Sequence, residues 1–166
     1  PKPELSAPFT FLMIARVLYE KGIAEYMEAC RLLKEKYPTI KCQLLGQVDE
    51  RSRFGIKQTV LDAWLGEVAV DYLGTTDDVA TIIAQADCVV LPSYREGTPR
   101  TLLEVAAMAK PLIATNVPGC REVVLCTPPR RDGTADPAVL FAAAHCGVER
   151  SFGLSQQARR LLQRAR

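Results

Sequence analysis

Along most of the chain, apolar runs of strand length alternate with segments whose apolar residues recur at helical spacing. Residues 9–15 (FTFLMIA) form a short, continuous apolar run, as a strand buried on both faces requires. After it Ile23, Tyr26, Met27, Cys30, Leu33 and Tyr37 keep the helical period until Pro38 stops it. Residues 40–46 (IKCQLLG) read as a second strand. Residues 59–65 read as a helix with Val60, Leu61, Trp64 and Leu65 on one side, and 68–74 (VAVDYLG) as a strand ending in glycine. Asp77 or Asp78 can cap a helix through Ala86 that uses Val79, Ile82 and Ile83. The run 88–93 (CVVLPS) is the most strand-like of all. Thr98 then suits an N-cap, with Pro99 at the first helical position of a helix reaching about Ala109, before a fifth strand over 111–117.

Strand and helix alternating at this spacing predict right-handed crossovers and a parallel sheet covered on both faces. The fold class expected for residues 9–124 is therefore α/β, a Rossmann-like doubly wound parallel sheet. Residues 1–8 read as a linker leading into the first strand, and residues 125–166 as an atypical tail, partly helical.

A length of 166 residues, with 48% hydrophobic and 24% charged content, suits one ordinary globular domain. The net charge of +2 is too small to predict a nucleic-acid or membrane-binding surface. No apolar run approaches the ~20 residues that span a bilayer. The six cysteines form no C-x-x-C pair, and several lie in apolar stretches, which predicts buried reduced thiols and a cytoplasmic location. No His/Asp/Glu cluster has metal-ligand spacing.

In open parallel sheets, ligands bind beyond the carboxyl ends of the strands. Three polar loops occupy such places: ARVLYEKG after the first strand, GTTDD after the third and SYREGTPR after the fourth. Gly97 allows close backbone approach, and the amides of Thr98, Arg100 and Thr101 lie at a helix start that favours phosphate; Pro99 supplies none. Glu96 and Glu104 stand eight positions apart, a helical separation of roughly 12 Å at about 1.5 Å per residue. That is too far for a shared proton and suits two hydroxyl-binding carboxylates flanking a diphosphate. It equally suits a solvated Glu104 and a Glu96 that favours the helix dipole. Arg16 and Lys21, in the first loop, could meet the same diphosphate or remain surface cations. Neither G-x-G-x-x-G nor G-x-x-x-x-G-K-S/T is present.

Together "AR…EKGI", "QLLG", "DYLGTTDDV", "CVVLPSYREGTPRTLLE" and "PGCREVV" resemble the carboxyl-terminal half of the group 1 retaining glycosyltransferases, two-domain enzymes of GT-B architecture. The resemblance covers about residues 9–124 and looks like members that build bacterial polysaccharides or lipid-linked oligosaccharides. It implies that Arg16 and Lys21 bind the donor diphosphate, Glu96 the transferred sugar and Glu104 the ribose. The backbone around Gly97, Thr98, Pro99 and Arg100 would meet phosphate, and the loop after Gly74 would lie near the base. It further implies a UDP-sugar donor, no metal cofactor, an acceptor domain outside this chain and a lipid-linked or glycan acceptor reached at the membrane surface. A nucleotide-sugar epimerase domain and a non-catalytic nucleotide-binding scaffold are the alternatives.

Two departures stand out inside the matching region: Ala15 where the family has glycine, and Lys110 where glycine commonly ends the helix. After Val124 the family expects a DG-x-x-G turn, a brief apolar strand and closing helices. Here only Asp132-Gly133 is kept, and seven arginines follow Val124. That pattern points to divergence, truncation or a shifted reading frame, with Phe141, Leu154, Leu161 and Leu162 as residues able to pack on the sheet and no role for His145.

Overall fold

The computed structural model describes residues 8–123 and the backbone of the strand at 139–142. One six-stranded sheet is built from β1 (Thr10–Ile14), β2 (Lys41–Leu45), β3 (Asp71–Tyr72), β4 (Cys88–Leu91), β5 (Leu112–Thr115) and β6 (Val139–Ala142), in the order β3-β2-β1-β4-β5-β6. The first five strands are mutually parallel, β1 lying between β2 and β4 with Phe11 opposite both Cys42 and Cys88. Strand order reverses direction between β1 and β4, and a ligand site in such a sheet forms at that switch.

The period of two along each strand explains why both faces are apolar. Phe11, Met13, Cys42, Leu44, Cys88, Val90 and Ile113 face α1 (Ile23–Lys36) and α2 (Gln58–Val68), whose Ile23, Tyr26, Met27, Cys30, Leu33 and Leu61 complete one core. Leu12, Leu45, Val89, Leu91, Leu112 and Ala114 face α3 (Val79–Gln85), α4 (Arg100–Ala107) and α5 (Pro118–Val123), through Ile83, Leu102, Val105 and Cys120. The doubly wound α/β expectation is met. Cys30, Cys42, Cys88 and Cys120 are buried free thiols, as the apolar context of the cysteines predicts.

Four details differ from the sequence expectation. β3 is two residues rather than seven, because Val68 completes α2 and Ala69 takes a left-handed φ of 54° to end it. Thr98 does not cap α4: the helix opens at Arg100 with Pro99 in the cap position, and the Thr98 hydroxyl contacts Glu122 at 3.4 Å. α4 also closes at Ala107, two residues early, and the left-handed residue after it is Ala109 (φ 55°). Lys110, which stands where glycine commonly ends the helix, donates to the carbonyls of Ala84 (2.6 Å) and Ala86 (2.9 Å) at the end of α3. The sheet is also not wholly parallel, since β6 runs antiparallel to β5, with Leu112 opposite Ala142 and Thr115 opposite Val139. Asp78 caps α3 as expected, accepting from the Thr81 amide at 3.1 Å. The packing expected of Leu154, Leu161 and Leu162, and the linker at 1–8 apart from Pro8, lie outside the described residues.

Candidate functional site

The loops after β1 and β4 meet beyond the strand ends at the switch point. β1 ends at Ile14, and the chain bends at Ala15 and passes through Val17, which pairs with Val48, before a single 3-10 turn at Tyr19–Lys21. Gly22 then takes a φ of 76° and bonds back to the Tyr19 carbonyl at 3.0 Å, so that α1 can start at Ile23. A side chain at Gly22 would also be impossible for want of space, since a Cβ would lie 2.3 Å from the Pro92 carbonyl oxygen. The two loops are thus pressed together. The Tyr94 amide donates to the Glu20 carbonyl at 2.9 Å, and the Tyr94 hydroxyl donates to the Glu25 carboxylate.

This packing brings Lys21 and Glu96 into direct contact. Lys21 Nζ donates to Glu96 Oε1 at 2.8 Å, with the side chains only 17% and 10% exposed. A cation and a carboxylate, separated by 75 positions in sequence, form the charged centre of the switch point. Cys120 of α5 lies behind them. Its thiol is pushed up to about 11 by burial first and by the Glu96 charge second, with Lys21 acting in the opposite direction.

The other expected residues take different situations. Arg16 is exposed and lies 3.4 Å from Asp49, a solvent-facing pair of little strength that leaves the guanidinium able to turn to a ligand. Gly97 has nothing within 4 Å of where a Cβ would stand, so its outer face is open to an approaching ligand. Thr98, Arg100 and Glu104 are exposed, and Pro99 is buried. Gly74 has a φ of 67°, and its carbonyl accepts from the Gly46 amide at 2.8 Å. It follows β3, two strands from β1, hence roughly 10 Å across the sheet at about 4.8 Å per strand. Lys21 and Glu96 are therefore in contact, Arg16 occupies the same loop but pairs elsewhere, and Glu104 faces solvent from α4.

Sequence reasoning missed Asp49, which holds Arg16, and the backing of the Glu96 loop by α5. The signal for the second was visible in PGCREVV, which had carried only a resemblance and no function.

A cationic and acidic centre at the switch point of a doubly wound sheet, beside an open glycine turn leading into a helix, marks the candidate ligand site of this α/β domain. Residues 2–126 match the family model "Glycosyl transferases group 1", and the chain belongs to that family. It is 35% identical over 113 residues to the N,N'-diacetylbacillosaminyl-diphospho-undecaprenol alpha-1,3-N-acetylgalactosaminyltransferase of Campylobacter jejuni, a match spanning 68% of this chain and 28% of that enzyme. Among solved structures it is similar to the pneumococcal O-GlcNAc transferase GtfA in complex with UDP and GlcNAc. There the TM-score is 0.64 at 19% identity, with 94% of this chain and 28% of that one covered. The chain thus spans less than a third of the length of these transferases.

A second family model, "Histidinol dehydrogenase", matches residues 99–155. The histidinol dehydrogenase of Xanthomonas euvesicatoria is 56% identical over 107 residues, covering 60% of this chain and 24% of that enzyme. The part of the tail up to residue 155 therefore resembles a known protein family as it is read here.

Proposed function

We propose that residues 9–124 are the donor-binding half of a GT-B retaining glycosyltransferase that moves a sugar from a UDP-sugar to a lipid-linked or glycan acceptor. The contact between Lys21 and Glu96 at the switch point carries this reading. In the bound state Lys21 and Arg16 face the diphosphate, the amides of Thr98, Arg100 and Thr101 meet phosphate oxygens, and Glu96 accepts hydroxyls of the transferred sugar. Glu104 accepts those of the ribose, and the loop after Gly74 borders the base.

In the reaction the bond between the sugar's anomeric carbon and the diphosphate oxygen breaks, an acceptor hydroxyl oxygen takes its place with retained configuration, and the hydroxyl's proton passes to the departing diphosphate. The electron pair leaves with the diphosphate, whose growing charge the two cations and the amides offset. The reading needs no metal. The name of the Campylobacter enzyme, with its diphospho-undecaprenol substrate, and the UDP bound to GtfA support the substrate class. The acceptor-binding domain and any approach to a membrane surface belong to the whole enzyme; no described helix is long and apolar enough to cross a membrane.

Calorimetric titration with UDP, GDP and ADP tests the reading. One diphosphate should bind preferentially, and Glu104→Ala should weaken it. Failure of all three to bind at millimolar concentration would end the proposal. An epimerase would act on its nucleotide sugar without acceptor, and a scaffold would bind without turnover.

A second reading rests on the separate match of residues 99–155. The tail shares descent with histidinol dehydrogenases, so that the chain joins pieces of two families within residues 99–126, where both models match. Because the dehydrogenases are matched over only 14% to 24% of their length, no dehydrogenase activity is proposed here. Amplification of genomic DNA across the codons for 99–126 decides this reading. A continuous product of the expected size supports a composite gene, and two loci that never amplify together refute it.

A further inference from the structure

The turn that carries Glu96 is gripped from two sides. On one side stand the contact of Gly22 with Pro92 and the Tyr94–Glu20 hydrogen bond already described. On the other side stands α5, and there the decisive residue is Gly119. A Cβ on Gly119 would lie 1.4 Å from the Gly97 carbonyl oxygen and 2.5 Å from both the Glu96 carbonyl oxygen and the Gly97 carbonyl carbon. Gly119 does not occupy the left-handed region, so what it supplies is space alone. Two further contacts tie the same loop to the β5–α5 unit. The Thr115 hydroxyl donates to the Ser93 carbonyl, and the Thr98 hydroxyl reaches Glu122 at 3.4 Å.

We propose that Gly119 is a positioning residue for this site: its missing side chain lets α5 back directly onto the Glu96–Gly97 peptide and so fixes where the Glu96 carboxylate stands relative to Lys21. With alanine there, something must move by on the order of 2 Å to restore ordinary van der Waals contact at about 3.5 Å. The glycine turn is what moves. α5 is anchored in the core by Cys120, which is 0% exposed, whereas Gly97 is exposed and has no neighbour on its open side. A displacement of about 1 Å in a ligand-positioning group is enough to cost about a hundredfold in function.

That Glu96 acts on a nucleotide sugar rests on the donor-site reading; the placement of its peptide by Gly119 does not, and the experiment separates the two. In the wild-type chain, nuclear Overhauser contacts should connect the Gly119 Hα pair with the Gly97 and Thr98 amides, and their absence overturns the proposal however any variant folds. Gly119→Ala should shift the amide resonances of Glu96, Gly97 and Thr98 and of the Lys21 side chain. It should also weaken UDP binding at least tenfold. Leu112→Ala, a buried β5 substitution away from the turn, serves as the stability-matched control. It should lower the unfolding midpoint as much or more and leave UDP binding within twofold. Equal losses of binding in the two variants, or unmoved resonances in Gly119→Ala, would overturn the positioning role. A wild-type chain that binds no nucleoside diphosphate refutes the donor reading, and the resonance shifts then decide the positioning role by themselves.

Discussion

Lys21→Met removes a charge while keeping most of the side chain's length, and leaves the Glu96 carboxylate, 10% exposed, without its cation. At the observed 2.8 Å, the gross Coulomb attraction is about 6 kcal/mol for an effective dielectric of about 20. Desolvation of both ends removes most of that. Exposed pairs net about 0–1 kcal/mol, while removing one member of a fully buried pair costs about 3–5 kcal/mol. With the Lys21 side chain 17% exposed, the pair lies nearer the buried limit, and a loss of about 2–3 kcal/mol is expected. For a chain of this size that is a fall in melting midpoint of roughly 4–10 °C. Glu96→Gln in the Lys21→Met background should recover about 1–2 kcal/mol, because an amide does not require the cation. Urea unfolding followed by the emission of Trp64, the sole tryptophan, reads all four corners of the cycle. In parallel, the affinity for UDP should fall about tenfold to a hundredfold in Lys21→Met, as for one lost charge-assisted hydrogen bond. A Lys21→Met variant within 0.5 kcal/mol of the parent, in the range of ordinary surface substitutions, would refute the reasoning about the pair. So would a cycle additive to within about 0.3 kcal/mol.

Glu104→Ala, at an exposed position of α4, should leave stability within about 0.5 kcal/mol and lower UDP affinity about tenfold; unchanged binding by calorimetry would remove Glu104 from the site. Gly97→Ala meets open space, so unfolding should move by less than about 1 kcal/mol while nucleotide binding weakens, and a fold defect without a binding defect would contradict the open turn. Ala109→Gly should raise the melting midpoint, by about 1 kcal/mol in stability, because Ala109 holds a left-handed φ of 55°. The Cys120 thiol, raised from 9.0 to about 11, keeps its proton in the folded chain after the unfolded chain has lost it. Its contribution is therefore complete below pH 9 and is lost as pH rises through 11, and urea midpoints across that window should fall less steeply in Cys120→Ala.

Much of the fold was legible because β1, β4 and β5 are covered on both faces, and such strands read as nearly unbroken apolar runs. β3 was overread because Val68 and Val70 are buried whether the chain there is strand or helix end, and periodicity does not distinguish the two. The start of α4 was misplaced by one element of side-chain chemistry. Thr98 has the right residue type for a cap, but its hydroxyl is taken up by Glu122, whose position depends on tertiary packing. In the site, Arg16, Lys21, Glu96 and Glu104 were named from loop positions and from resemblance, yet nothing local in the sequence dictates that Lys21 meets Glu96. That contact comes from β1 and β4 being neighbours, together with the tight passage of Gly22 beneath Pro92. Asp49 and Gly119 escaped notice for the same reason. Each matters through a partner, Arg16 or the Glu96–Gly97 peptide, that only strand order brings near.

The overlap between the two family matches has a physical consequence for where the chemistry resides. Residues 99–126 satisfy both models and contain α4, β5 and α5. The sheet asks little of that stretch: an apolar stripe at Leu102 and Val105, a buried strand at Leu112–Thr115, and a residue without a side chain where α5 crosses the glycine turn. A segment of either descent that meets those conditions can dock on β4. Arg16, Lys21, Glu96 and Gly97, by contrast, precede residue 99, where the dehydrogenase model begins. The charged centre therefore lies outside the overlap of the two family models. What the overlap contributes is support, through Gly119, and the outlying Glu104. A join between two families placed within this overlap would thus leave the Lys21–Glu96 pair intact so long as position 119 remained glycine.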